Sequence, residues 1–288
     1  MIRYPITKAE LEAAIESEKR GWLARARQKT DGFRTAGEFN EPASRNSWSK
    51  IKAVYIRLQQ NKCAYCERSF GHDRRSRIEH DVEHFRPKSS VKAWPIEGSS
   101  LSYNFATGDA SVKGYYLLAY DILNYTTACK TCNSILKVNH FPVLAARQTG
   151  SDDFVALKNE KPLLVYPIGD LDDDPEELIT FEGILPVPKF NRGERYSRAR
   201  VTIDLFELDT REDLLEARAQ ILLGMWGMLR LLKTPGAAAE DKADAQKFID
   251  WAKSPAAAHT NCARAFSKLY EQDIAKARQY KDRAAAIV

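Results

Sequence analysis

The sequence predicts an α+β fold that is mostly helical, with a compact strand-and-turn unit set between helical flanks. Three observations carry this expectation. Apolar residues recur at helical spacing in the first 60 residues and again after residue 210. A strand-like segment, "SRIEHDVEHF", lies between them. Four of the five cysteines fall in two C-x-x-C pairs, "CAYC" and "CKTC", about 60 residues apart. With 288 residues, the chain is long enough for one large domain or two modest ones. We divide it into a helical segment at 1–50, a central unit at 51–145, and a strand- and turn-rich connector with C-terminal helices at 146–288.

Taken in order, "ITKAELEAAIESEKRGWLARAR" places Thr7 and Glu10 in capping-box spacing and reads as one charged amphipathic helix. "DGFRTAGEFNEPAS" reads as its break. In "NSWSKIKAVYIRLQQNK", Trp48, Ile51, Tyr55 and Leu58 share a helical face, with Asn46 or Ser47 as the cap. This helix runs straight into Cys63. Next come a cysteine knuckle, the strand, and a Ser/Gly-rich loop around "EGSSLSYNFATGDASVKG". "YYLLAYDILNYTTACKTCNSILKVNHFP" reads as a short helix leading to a second knuckle, with another helix starting beside it, and Pro142 closes the unit. Beyond it, "KPLLVYPIGDLDDDPEELITFEGILPVP" is rich in strand and turn signals, with a turn at Asp172–Pro175. "TREDLLEARAQILLGMWGMLRLLKT" is a strong helix, and its wide apolar face through Leu214, Ile221, Met225, Met228 and Leu232 predicts burial on more than one side. One or two Ala-rich helices are expected after "PGAAAEDKA".

No apolar run approaches the roughly 20 residues needed to span a bilayer. The N-terminal "MIRYPITKAELEAA" lacks the apolar core of a signal peptide, so a cytoplasmic compartment is the expectation. In that setting, paired C-x-x-C turns argue for metal rather than disulfides. Two thiolates from each tight turn can bind one tetrahedral ion, so Cys63, Cys66, Cys129 and Cys132 read as a four-thiolate zinc site. Such a shell leaves no open position for substrate, which makes its role structural. A redox C-x-x-C would need a strand–helix setting that this sequence does not offer. Cys262 reads as a core or surface thiol.

The net charge of +5 is too small to argue for nucleic acid by itself. Its distribution matters more, because Arg68, Arg74, Arg75, Arg77, Arg86, Lys88 and Lys92 gather around "IEHDVEHFRPKS". Two of the five histidines lie in that stretch, each after a glutamate: Glu79-His80 and Glu83-His84. Buried, such groups are costly unless a metal, a charge or a hydrogen bond satisfies them.

With "EHFRPK", an asparagine five residues before "CKTC", and "CNSILK", the chain resembles HNH endonucleases of the ββα-metal fold, in the subset stapled by a four-cysteine zinc. The resemblance covers about 80 residues. It implies that Glu83 is the metal-binding acid, His84 the general base, Asn124 the asparagine that orients the base, and Asn133 the metal ligand opening the last helix. Many members carry histidine at the position of Asn133, and some carry a second at Lys137. Asparagine as the last ligand also occurs in the family, and its oxygen points to a hard catalytic cation, magnesium or manganese. In this reading, neutral His84 takes a proton from water. The cation absorbs charge at phosphorus. Arg86, Lys88 and Lys137 hold flanking phosphates.

His80 could approach the same site, but reads rather as an exposed strand histidine. Asp81 reads equally as an extra metal-shell acid or a solvated one. His72 and His259 read as surface and structural groups, and His140 as a capping or packing residue that could touch phosphate. A weaker likeness in "KPLLVYPIGDLDDDPEELITFEGILP" and "RARVTIDLFELDTREDLLEAR" is similar to the retron-associated and Septu-type anti-phage HNH proteins. That likeness implies a role in antiviral defence beside an ATPase partner; nothing in this chain resembles a P-loop, so any ATP use would come from elsewhere. DNA is the expected substrate. A nuclease cutting RNA such as tRNA, and a zinc-stabilised module that binds nucleic acid without catalysis, are the alternatives.

Overall fold

The reciprocal cap at Thr7 is in place in the computed structural model, which describes residues 1–71 and 79–288. Glu10 N donates to Thr7 Oγ1 at 3.2 Å, and Thr7 N donates to the Glu10 carboxylate at 2.8 Å. This cap starts helix α1 (Lys8–Glu18). The single helix expected here is in fact two. Gly21 adopts a left-handed φ of 71° that ends the run, and the Glu16 carboxylate accepts the N–H groups of Gly21 and Leu23 at 2.6 and 2.9 Å. Those amides would otherwise be orphaned at a helix start. Helix α2 (Trp22–Ala36) then continues through "DGFRTA", which the sequence marked as a break.

Residues 48–58 form a 3₁₀ turn (Trp48–Ile51) leading into helix α3 (Lys52–Leu58). It buries Ile51, Val54 and Tyr55 and delivers the chain to Cys63. Strand β1 (His80–His84) pairs antiparallel with β2 (Tyr125–Cys129), setting His80 opposite Cys129 and His84 opposite Tyr125. The short helix expected before the second knuckle is not formed. "YYLLAYDILN" makes two 3₁₀ turns (Tyr116–Leu118 and Ile122–Asn124), and β2 follows. All five residues of β2 are buried, so it lacks the in–out alternation by which a half-exposed strand is read. A π-helix (Thr131–Lys137) follows the strand and carries Cys132, Asn133 and Lys137.

After a one-turn helix α4 (Phe154–Leu157), Asp174 caps α5 (Pro175–Leu178) at the expected acidic turn. The hairpin β3 (Ile179–Glu182) and β4 (Leu185–Pro188) comes next. Helix α6 (Gly193–Leu205) precedes α7 (Glu212–Leu232), the strong helix of the sequence. Three helices rather than one or two end the chain: α8 (Ala239–Lys253), α9 (Thr260–Gln272) and α10 (Ile274–Ala285).

Two apolar clusters hold these elements. The larger runs from Met1 to Leu214, takes residues from all three segments of the sequence division, and includes the four paired cysteines. The smaller packs α7–α10 around Leu222, Met225, Ile249 and Phe266. Helix α7 joins both, with Leu214 in the first and Ala219 onward in the second. No helix among the described residues is long and apolar enough to cross a membrane.

Candidate functional site

The cysteine cluster is assembled by hydrogen-bonded turns. Cys63 N donates to Arg68 O at 2.9 Å and Glu67 N to Cys63 O at 3.1 Å, closing the first knuckle, with Glu67 at a φ of 60°. Buried Gln59 ties that knuckle to β2. Its side-chain amide accepts from Thr127 N at 2.7 Å and donates to Thr127 O and Lys62 O at 3.0 and 3.2 Å. Cys129 ends β2 and Cys132 lies in the first turn of the π-helix.

The four sulfurs lie within 4.8 Å of one another, all buried, and Cys66 Sγ is 3.9 Å from Cys129 Sγ. A tetrahedral ion with metal–sulfur bonds of about 2.3 Å sets its sulfurs about 3.8 Å apart, so the quartet fits one. A disulfide needs about 2.05 Å, and all five cysteines are free thiols. The group can therefore hold a structural metal ion. Cys262 stands apart in α9, where burial pushes its thiol up to about 12.

The acid–histidine pair opens onto a cleft of about 150 Å³ lined by Trp48, Glu83, His84, Lys88, Asn133 and Asn139, among others. His84 is held on three sides. Its Nε2 lies 3.1 Å from Ala119 O, and a carbonyl there requires Nε2 to carry the proton, which leaves the lone pair on Nδ1. Trp48 and Tyr125 meet the imidazole edge-on, with ring centres 4.9 and 5.0 Å away. The Tyr125 hydroxyl donates to the same Ala119 carbonyl at 2.5 Å. Burial, with Lys88 nearby, holds the imidazole neutral well below the usual histidine range.

Asn124 does not touch the imidazole. Its Oδ1 accepts from Arg86 N at 2.8 Å, and its Nδ2 donates to Arg86 O and Leu118 O at 3.0 and 3.1 Å. It staples the exit of β1 to the turn that presents Ala119, so it orients His84 through the backbone.

Glu83 is buried and ion-paired with Lys137, whose ammonium also donates to His84 O at 2.9 Å. Burial raises the Glu83 carboxyl, and Lys137 opposes that rise. Lys137 is itself fully buried, so it is taken up inside the protein rather than presented to a phosphate. Arg86, also expected at a phosphate, is buried too. Its guanidinium lies 3.5 Å from Glu160 and lines a separate cleft with Lys158, Tyr166 and Arg198. Both side chains reach inward because a fully desolvated carboxylate must find a cation. Lys88 alone of the three lines the His84 cleft, with its ammonium 4.8 Å from the Trp48 ring centre and 5.5 Å from that of Phe39.

The remaining expectations divide. His80 is 1% exposed and stacks on Phe70 with ring centres 4.1 Å apart, which corrects its reading as an exposed strand residue. Asp81 is paired with Lys52 at 3.8 Å. His140 packs edge-on against Trp94 at 5.4 Å. His259 is buried and structural, preceding α9 at a φ of 53°. His72, Arg74, Arg75 and Arg77 lie outside the described residues. Trp48, Gln59, Ala119 and Tyr125 were not picked out as site residues. Tyr125 had a signal, since it follows directly on Asn124, whereas Ala119 acts through its carbonyl and leaves no mark in a sequence. No family model, curated relative or solved structure matches this chain.

Proposed function

We propose that this protein is a metal-dependent HNH-type endonuclease that hydrolyses phosphodiester bonds in DNA, with zinc in the four-cysteine site. The single observation that carries the reading is the His84 environment: a neutral imidazole, whose Nε2–H donates to a backbone carbonyl and whose ring is clamped by two aromatic rings, on a cleft shared with Glu83, Asn133 and Lys88. A histidine that only packs has no need of a fixed tautomer beside a carboxylate, an amide and an ammonium.

In this reading Nδ1 of His84 takes the proton of the attacking water, and Ala119 O steadies the imidazolium that results. Lys88 pairs with a phosphate oxygen, its charge kept close by the faces of Trp48 and Phe39. Glu83 and Asn133 would hold magnesium or manganese, which supplies charge stabilisation at phosphorus and at the leaving oxygen. Lys137 fixes the Glu83 carboxylate and the His84 carbonyl together, so the ligand and the base keep one geometry.

The test is cleavage of plasmid DNA and, separately, of tRNA with added magnesium or manganese, comparing the parent protein with His84→Ala. Loss of cutting by about 100-fold or more is expected, the range of a general base, from a variant that is still folded at the assay temperature. Equal cutting by the variant would overturn the assignment. Salt-dependent binding without any cutting would favour a binding module, and cutting confined to tRNA would change the substrate.

A further inference from the structure

A four-thiolate shell around a divalent ion carries a net charge of −2, and here the sulfurs are buried. Such a charge needs hydrogen-bond donors or cations around it. One donor is the backbone: Cys129 N lies 3.4 Å from Cys63 Sγ. The other comes from far along the chain. Arg211, the residue that precedes α7, sends Nη1 to within 3.4 Å of Cys132 Sγ. Its side chain is 8% exposed and is held by Asp213, which meets Nε at 3.3 Å and Nη2 at 3.1 Å. Asp213 also accepts from Arg68 at 2.6 Å, two residues after Cys66. A chain of charges, Arg68–Asp213–Arg211–Cys132, thus closes a loop from one knuckle to the other through the first turn of α7.

We propose that Arg211 is a positioning residue of the metal centre. It offsets part of the thiolate charge by donating to Cys132 and latches the start of α7 to the ion, so metal occupancy and docking of the C-terminal helices are one coupled equilibrium. Nothing in the spacing of "TREDLLEAR" marks such a role. The placement of α7 supports it, since that helix leaves the larger core at Leu214 and enters the smaller one at Ala219. The two cores therefore meet next to the cysteine quartet.

The experiment uses the full chain loaded with Co²⁺ and needs no nucleic acid, so it stands apart from the nuclease reading. Arg211→Gln, Arg211→Lys and Asp213→Asn are compared with the parent for two properties: the rate of ion loss to excess chelator and the energy of the sulfur-to-cobalt charge-transfer band. Arg211→Gln is expected to lose the ion roughly tenfold faster or more, the usual effect of removing an outer-shell partner. Its band is expected to move to lower energy, because an uncompensated thiolate gives up charge more readily. Arg211→Lys should restore part of both, and it carries the test if the glutamine variant does not fold. Asp213→Asn, which loosens the hold on Arg211, should move both in the same direction by less. Parent-like release and band energy in Arg211→Gln would overturn the proposal. So would faster release from Arg211→Gln with a parent-like band, which would place the effect in helix docking alone. If the parent chain took up no cobalt, the proposal would fall together with the metal centre itself.

Discussion

At the scale of single residues, the site depends on groups whose partners are backbone atoms. Asn124 makes three buried hydrogen bonds, two of them to Arg86. Asn124→Ala strands the N–H and C=O of Arg86 and should cost about 2 kcal/mol or more. On the proposed function, DNA cutting should fall with it, because the turn carrying Ala119 loses its tie to β1. Urea unfolding and a cleavage assay on the same preparation would check both. His259 permits a prediction about pH. Burial against Arg218 lowers its imidazole to about 3, whereas the unfolded chain titrates near 6.5. Between those values the unfolded state binds the extra proton, so stability is complete above about pH 6.5 and is lost as pH falls toward 3. Asparagine accepts the φ of 53° at this position. His259→Asn should therefore make the acid limb of stability shallower by about 1.4 kcal/mol per pH unit, read as the difference between two series of urea midpoints.

At the scale of elements, the two strands and the π-helix place Glu83, His84 and Asn133 on one cleft, and a glycine keeps the loop after β1 in place. Gly114 crosses the backbone at 87–89 so closely that an added Cβ would lie 2.4 Å from Lys88 C and 2.5 Å from Pro87 O. The same crossing carries the bonds Gly114 N to Ser89 O at 3.0 Å and Tyr115 N to Pro87 O at 2.8 Å. Gly114→Ala should cost about 1–3 kcal/mol by forcing backbone apart and, on the proposed function, should weaken cutting through displacement of Lys88. A melt that matches the parent protein would show that the crossing is looser than this. The C-terminal end of the π-helix is strained as well. Val138, at a φ of 45°, is a β-branched residue in left-handed space, and it lines the His84 cleft. Strain of this kind collects where a site dictates the backbone.

At the scale of the whole molecule, the cysteine quartet sits inside the larger core rather than on a separate module. Structural zinc contributes about 10 kcal/mol or more in small domains, and in a chain of this length 1 kcal/mol moves the melting temperature by about 2–4 °C. If the quartet holds such an ion, stripping it with a strong chelator should therefore lower the melting temperature by more than about 10 °C. It should also release both strands in hydrogen exchange. An unchanged melt would mean that hydrophobic packing alone holds the quartet together.

Local rules made part of this legible in advance. The Thr7 cap, the strand at His80–His84, the two knuckles, the Asp174 turn and the α7 helix each follow from a few neighbouring residues, and so each could be read from sequence alone. The same holds for the convergence of four cysteines, because x-x spacing is itself a statement about geometry. The division of labour among the charged groups was not legible. Arg86, Lys88 and Lys137 are equivalent as letters near a histidine, but burial turns Arg86 to Glu160 and Lys137 to Glu83, and leaves Lys88 at the cleft. The strand β2 was missed because both its faces are covered. The tautomer of His84 rests on the carbonyl of Ala119, and the outer shell of the cysteines on Arg211, 79 residues beyond Cys132. Which cation meets which anion is decided by desolvation in the packed interior, and that interior exists only once the distant segments have come together.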